Sequence, residues 1–285
     1  LAMDLYSKPI TDIAYADILA FLDAKHPESQ ILDYKSAWIE HPARVMAAFA
    51  NTDGGIMLIG VTEEDKTGIP LSPPPGINLG EGEDAIKRQV ESAAYDAVYP
   101  PFFPEVQVCP KDDDPSKAVI LVRVAQSHQT PHCTDDRQRA YVRVQSQNRF
   151  TERQAYLEEW HWLLDRRKAA IELRESMLAR TRDRATLIRA SATQPAPRQA
   201  MLEAYAVPLY PDRSYIGLAE LLQFANRVMV HSEVRQGAYT EFPISIRARP
   251  VAEGVLITDS DPTERKHCVQ INQWGMVHSQ LYLDD

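Results

Sequence analysis

Residues 28–63 carry a strand, a helix and a second strand, and the punctuation between them leaves little freedom. Ile31 to Lys35 reads as a short strand. Pro42 falls where the first turn of a helix accepts a residue with no N–H. Val45, Met46 and Phe49, three and four apart, give that helix an apolar side. The run Asn51-Thr-Asp-Gly-Gly55 ends it, because glycine enters the left-handed conformation that a helix C-terminus needs. Ile56 to Val61 is continuously apolar, the pattern of a strand buried on both faces.

The flanking sequence extends this pattern. Residues 12–24 have helical spacing through Ile13, Ile18, Phe21 and Leu22, with Thr11 as the expected N-cap. His26-Pro27 stops the helix, since the residue before proline avoids helical geometry. Residues 63–68 read as a turn and 83–95 as a helix. Strands are expected near residues 105–109, 118–125 and 139–144. The order β, α, β, α, β, β, β predicts an α+β domain with a mixed sheet over residues 1–150. Thr151 and Gln154 fit a capping box, which predicts a long connecting helix from there to about residue 189. A linker containing Pro195 and Pro197 completes a segment spanning 151–197. Residues 198–285 are expected to form a small α+β domain, with a helix over 215–228 and strands near 244–249, 254–258, 267–272 and 276–281.

The 285 residues suit two domains, and an apolar fraction of 44% supplies material for a sizeable core. No apolar run approaches a membrane span, so no membrane partner is expected. The start at Leu1 has neither the basic region nor the apolar stretch of a signal peptide, and a chain opening on Leu reads as a fragment of something longer. Cys109, Cys133 and Cys268 are scattered and odd in number, which implies reduced thiols and a cytoplasmic setting. The formal net charge of −9 disfavours a protein that coats nucleic acid, because such binding rests on excess Lys and Arg. A local basic patch is compatible with it.

Asp33 and Lys35, two apart on a strand, share a face. Glu28 has the opposite parity and reaches that face only from the turn before the strand. Glu63 follows the point where the buried strand emerges. If the two strands are neighbours, three carboxylates meet at one sheet end. Hard oxygen donors of this kind suit Mg²⁺ or Mn²⁺. Such an ion polarises a phosphoryl oxygen and lowers the pKa of a bound water, and Lys35 would balance charge developing on the phosphate. Solvated charges flanking two strands satisfy the same spacing.

The block from Ala48 to Gly55 (Ala-Phe-Ala-Asn-Thr-Asp-Gly-Gly) resembles the AlbA-type domain of the Schlafen superfamily. So do the Glu28-x-x-x-x-Asp33-Tyr-Lys35 run before it and Ile59-Gly-Val61 after it. Val122-Arg-Val124, Ser127, Pro131 and Tyr141-Val-Arg143 resemble a later stretch of the same family, so the likeness covers about residues 10–155. It implies an AlbA-like fold and a protein that interacts with RNA or DNA. In members with nuclease activity it implies a metal-dependent RNA-cleaving site. Carried over by position, the metal ligands are Glu28, Asp33 and Glu63, with Lys35 beside them. Asp33 stands where the family has Glu, Glu63 where it has Asp, and Thr62 where an acidic residue is frequent. Two ligands thus differ by one methylene, more than the ~0.2 Å tolerance of a metal–ligand distance unless the backbone compensates. The alternative is a non-catalytic nucleic-acid-binding or regulatory module of a longer protein.

Three further patterns carry weaker readings. Gly54-Gly55 with Gly60 suggests nucleotide binding, but no Lys-Ser/Thr follows and the glycines precede a strand, where a phosphate loop needs a helix start. His128, His132 and Cys133 offer zinc-type donors without a second cluster to complete a tetrahedral site. The long helix carries Arg166, Arg167, Lys168, Arg174, Arg180, Arg182, Arg184 and Arg189 among acids, the pattern of a salt-bridged face or of an arm along a phosphate backbone. Arg123, Arg139, Arg143 and Arg149 are the other candidate nucleic-acid contacts, with Tyr141 as a stacking partner for a base. The C-terminal domain shows no catalytic set, and packing, regulation or homo-oligomer formation is its expected role.

Overall fold

The computed structural model describes residues 5–283 except 65–66, 81, 135–137, 147–148, 191–199, 209–216, 218, 222, 224–245, 252–253, 260–266 and 274. The chain divides into two compact units, Leu1–Arg167 and Lys168–Asp285. The architecture is α+β, with a mixed sheet and a long helix.

In the first unit, α1 (Tyr15–Asp23) precedes β1 (Leu32–Lys35), α2 (Pro42–Asn51) and β2 (Gly55–Ile59). Next come β3 (Ile77–Asn78), α3 (Glu83–Asp96), β4 (Glu105–Pro110) and β5 (Lys117–Val124). β1 runs parallel to β2, with Asp33 opposite Met57 and Lys35 opposite Ile59. β2, β4 and β3 all pair antiparallel with β5. The parallel pair needs a crossover, and α2 supplies it. Leu32, Tyr34, Ile56, Leu58 and Leu121 face α1, where Ile18, Phe21 and Leu22 cover them. Met57, Ile59, Ile120 and Val122 point the other way, into Val45, Met46 and Phe49 of α2 and Ile86 and Val90 of α3. β2 is therefore buried on both faces, as its unbroken apolar run predicts. Each such side chain contributes roughly 1.5–3 kcal/mol by leaving water.

A second, three-stranded sheet covers α2. β6 (Cys133–Thr134) pairs with β7 (Arg139–Ser146), which pairs with β8 (Arg149–Gln154). Two reciprocal cation–π contacts join helix to sheet. Arg44 of α2 lies over the Tyr141 ring at 4.7 Å, and Arg143 of β7 lies over the Phe49 ring at 4.4 Å.

Two expected helix starts are corrected. The N-cap of α1 is Ala14, whose N–H donates to the Asp17 carboxylate at 2.8 Å, while Thr11 lies in a preceding 3₁₀ turn. Thr151 and Gln154 belong to β8, and α4 (Leu157–Ala190) starts later. Its real cap is Glu159, which accepts the Tyr156 N–H at 2.7 Å while both its oxygens bind Arg153 at 2.7 Å. At α4 sequence spacing alone could not separate the options, because Thr151–Gln154 and Tyr156–Glu159 both place a hydroxyl side chain three positions before a carboxamide or carboxylate.

In the second unit, a five-stranded antiparallel sheet has the order β10 (Ile246–Val251), β11 (Gly254–Asp259), β12 (His267–Asn272), β13 (Val277–Leu283) and β9 (Ala200–Ala206). Four of these strands were expected, and β9 was not. The linker around Pro195 and most of the 215–228 helix lie outside the described residues. Cys109 and Cys133 are free and buried. Among the described residues, no helix is long and apolar enough to cross a membrane.

Candidate functional site

A tight turn delivers Glu28 to the face of Asp33. Ser29 N–H donates to Leu32 O at 3.0 Å and Leu32 N–H returns the bond to Ser29 O at 3.3 Å. The chain doubles back, so Glu28 Oε1 accepts the Tyr34 N–H at 3.0 Å despite the parity mismatch along the strand. The backbone N–H of Glu28 donates to Gly68 O at 3.0 Å, which ties it to the loop that Glu63 opens. Glu63 itself bridges to Pro70.

Glu28 responds to the other two carboxylates. Burial, followed by the negative charges of Asp33 and Glu63, pushes the Glu28 carboxyl up to about 8, against the lowering effect of the Tyr34 N–H. Asp33 is 1% exposed. The Lys35 ammonium straddles it, 3.0 Å from Oδ1 and 2.9 Å from Oδ2, and only the Oδ1 contact has hydrogen-bond geometry. Arg143 approaches the same Oδ1 at 3.4 Å. One buried aspartate thus has two cationic neighbours. Among the described residues, no group of three or more His, Cys, Asp or Glu is arranged to hold a metal ion.

The expected nucleic-acid contacts separate. Arg139 is exposed. Arg149 lies on β8, at a position whose side chain is outside the description. Arg123 is engaged internally: its guanidinium donates to Tyr6 O at 3.2 Å and Lys8 O at 2.9 Å, and its Nε lies 3.2 Å from Glu105. Tyr141 and Arg143 do share a strand face, but both are buried against α2, at 6% and 2% exposure. Their expected place on an open surface is corrected. The alternation that puts them on one face is the same whether that face meets solvent or a helix.

The block from Ala48 to Gly55 acts through packing. Asn51 is fully buried and donates to His132 O and Tyr141 O while accepting the His132 N–H. Gly54 (φ 72°) lies so close to β5 that a Cβ there would stand 2.6 Å from Gln126 N and 2.7 Å from Val124 O. That closeness fits the reading of these glycines as a helix stop and a tightly packed strand start. His132 donates from Nδ1 to Pro100 O and accepts the Ser127 hydroxyl at Nε2, each at 2.7 Å. Both ring nitrogens are committed, so it offers no zinc donor. On the long helix, Arg166 caps α2 by donating to Asn51 O and Thr52 O, and Lys168 pairs with Glu172.

The residues that reasoning from sequence did not find are Asn51, His132 and Arg166 as a polar lock on the end of α2, and Arg143 as a buried neighbour of Asp33. For Arg143 the alternation with Tyr141 along β7 was legible, but that it faces α2 was not.

The α+β architecture, with a mixed sheet, a parallel strand–helix–strand crossover and a long helix, matches an AlbA-like fold. Residues 28–152 match the family described as Schlafen, AlbA_2, and a Schlafen AlbA-like domain is present over that part of the chain. No curated protein matches the chain.

Proposed function

We propose that residues 28–152 interact with nucleic acid, and that Glu28, Asp33 and Glu63 form the centre of a divalent-metal-dependent endoribonuclease. The observation that supports this reading is the half-buried Glu28 carboxyl within electrostatic reach of Asp33 and Glu63: burial first, then their negative charges, raise it to about 8. Acids forced together in a partly buried place favour binding of a proton or a cation. Asp33 Oδ2 is buried with the Lys35 ammonium 2.9 Å away, and a carboxylate oxygen of this kind is a donor suited to Mg²⁺ or Mn²⁺ once that contact is given up. Glu28, Asp33 and Glu63 would hold the ion, which when bound supplies an activated water and a polarised phosphoryl oxygen. Lys35 would then exchange its contact with Asp33 for one with the phosphate. Arg139 is the exposed basic residue closest in kind to the expected RNA contact.

A non-catalytic nucleic-acid-binding or regulatory module is the second reading. The observation favouring it is the pair of cationic side chains, Lys35 and Arg143, already at Asp33.

The two readings separate in one assay. Structured RNA is incubated with the chain and Mn²⁺, beside a Glu28→Ala, Asp33→Ala double variant. Cleavage by the parent and loss of it in the double variant supports the nuclease. Binding without turnover in both supports the module. Equal cleavage by both would place the chemistry elsewhere.

A further inference from the structure

Arg143 has a side chain with 0% exposure, in a unit that could fill the same space with apolar atoms. Its Nη2 reaches three acceptors: Ser29 O at 3.1 Å, Leu32 O at 3.3 Å and Asp33 Oδ1 at 3.4 Å. The first two are the carbonyls of the turn that folds Glu28 back. The third is the carboxylate of the proposed site. The Phe49 ring covers one face of the guanidinium at 4.4 Å. Three separate stretches of sequence, around Glu28, Phe49 and Arg143, therefore meet at a single side chain.

The interaction is incompletely satisfied. Arg143 Nε and Nη1 are buried and make no hydrogen bond of good geometry. Burying a charge in this way is costly, and an apolar residue of similar volume is frequently as stable or more so. A packing role alone accounts poorly for a guanidinium here. Lys35 differs, with 29% of its side chain exposed. Lys35 can leave Asp33, whereas Arg143 is enclosed.

We propose that Arg143 is the positioning residue of the acidic site: it fixes the Ser29–Leu32 turn and the Asp33 carboxylate, so that Glu28 and Asp33 stay together when Lys35 moves. This inference rests on the reading of Glu28, Asp33 and Glu63 as the working site. A guanidinium suits the task because its planar fork can reach carbonyl and carboxylate oxygens together, which a lysine ammonium does less well.

The test is a double-mutant cycle on the full chain. Arg143→Met and Arg143→Lys are made in the parent and in an Asp33→Asn background, and thermal unfolding and Mn²⁺ binding (by electron paramagnetic resonance) are measured for each. Arg143→Met is expected to lower Tm by several degrees in the parent. In the Asp33→Asn background, where the carboxylate charge is gone, the loss is expected to be less than half of that. Arg143→Met is also expected to weaken Mn²⁺ binding by about tenfold or more in the chain that keeps Asp33, with partial rescue by Arg143→Lys. An equal Tm loss in both backgrounds overturns the proposal, as does parental Mn²⁺ affinity in Arg143→Met. If Arg143→Met folds only with Asp33→Asn, the coupling is supported. If it folds in neither, the same comparison with Arg143→Lys decides. A parent that binds no Mn²⁺ but shows the coupling removes the metal reading and leaves Arg143 as the support of Asp33.

Discussion

Asn51 and His132 hold each other by two hydrogen bonds. The Asn51 carboxamide donates to His132 O at 2.9 Å and accepts the His132 N–H at 2.8 Å. Its remaining N–H goes to Tyr141 O at 2.9 Å. The last residue of α2 is thereby joined to β7 and to the segment leading into β6. With α2 fixed, Phe49 stays over Arg143, and Arg143 stays beside Asp33.

Asn51→Ala removes one partner from each of three buried backbone groups. An unsatisfied buried group costs about 1–3 kcal/mol, so a loss of about 3 kcal/mol or more is expected in urea unfolding. A loss below about 1 kcal/mol would show that water replaces the carboxamide and that the lock is weak.

Gly54→Ala tests the close approach to β5. The new Cβ would lie within 2.7 Å of backbone atoms of both Val124 and Gln126, at a φ of 72° that alanine adopts poorly. Backbone cannot rotate away as a side chain can. Destabilisation beyond about 2 kcal/mol is expected from urea unfolding. Gly80→Ala is the control, since its φ is also positive but nothing lies within 4 Å of its Cβ position. The difference between the two isolates the packing contribution.

Much of the fold was legible in the sequence. The apolar run from Ile56 and the glycine stop after Asn51 predicted the central strand and the end of α2, because both rest on local physics. Parity placed Asp33 and Lys35 on one face and required a turn to bring in Glu28, and the Ser29–Leu32 turn does this. Burial was the harder matter. Arg143 and Tyr141 look like surface residues by composition, and only the packing of β7 on α2 puts them inside. The start of α4 was misplaced for a related reason: Thr151–Gln154 has the right spacing for a cap, and pairing with β7 uses it as strand.

Two of the shifted groups, His132 and Glu28, move stability in opposite directions as pH changes. Burial lowers His132 to about 4 from 6.5, so its contribution is complete above pH 6.5 and is lost as pH falls toward 4. Glu28 is raised from 4.5 to about 8, so its contribution is complete below pH 4.5 and is lost as pH rises through 8. Glu28→Gln removes the second effect. Its Tm relative to the parent is expected to climb steadily between pH 4.5 and 8. A difference independent of pH would mean that folding does not raise the Glu28 carboxyl.

Glu159→Ala removes the cap of α4 and both bonds to Arg153. The pair is about 30% exposed on each side, which limits its worth through solvent screening. A loss of about 1 kcal/mol is expected, most of it from the unsatisfied Tyr156 N–H. Glu159→Gln, which can still accept that N–H, is expected to restore part of the loss in urea unfolding.

The central claim is that Glu28, Asp33 and Glu63 form one cation-binding centre. Crystals of the chain grown with Mn²⁺, with diffraction recorded at the manganese edge, test it most directly. The account predicts an anomalous peak bridging carboxylate oxygens of Glu28, Asp33 and Glu63, with Lys35 drawn away from Asp33. No peak at saturating Mn²⁺, with Lys35 still on Asp33, would contradict it.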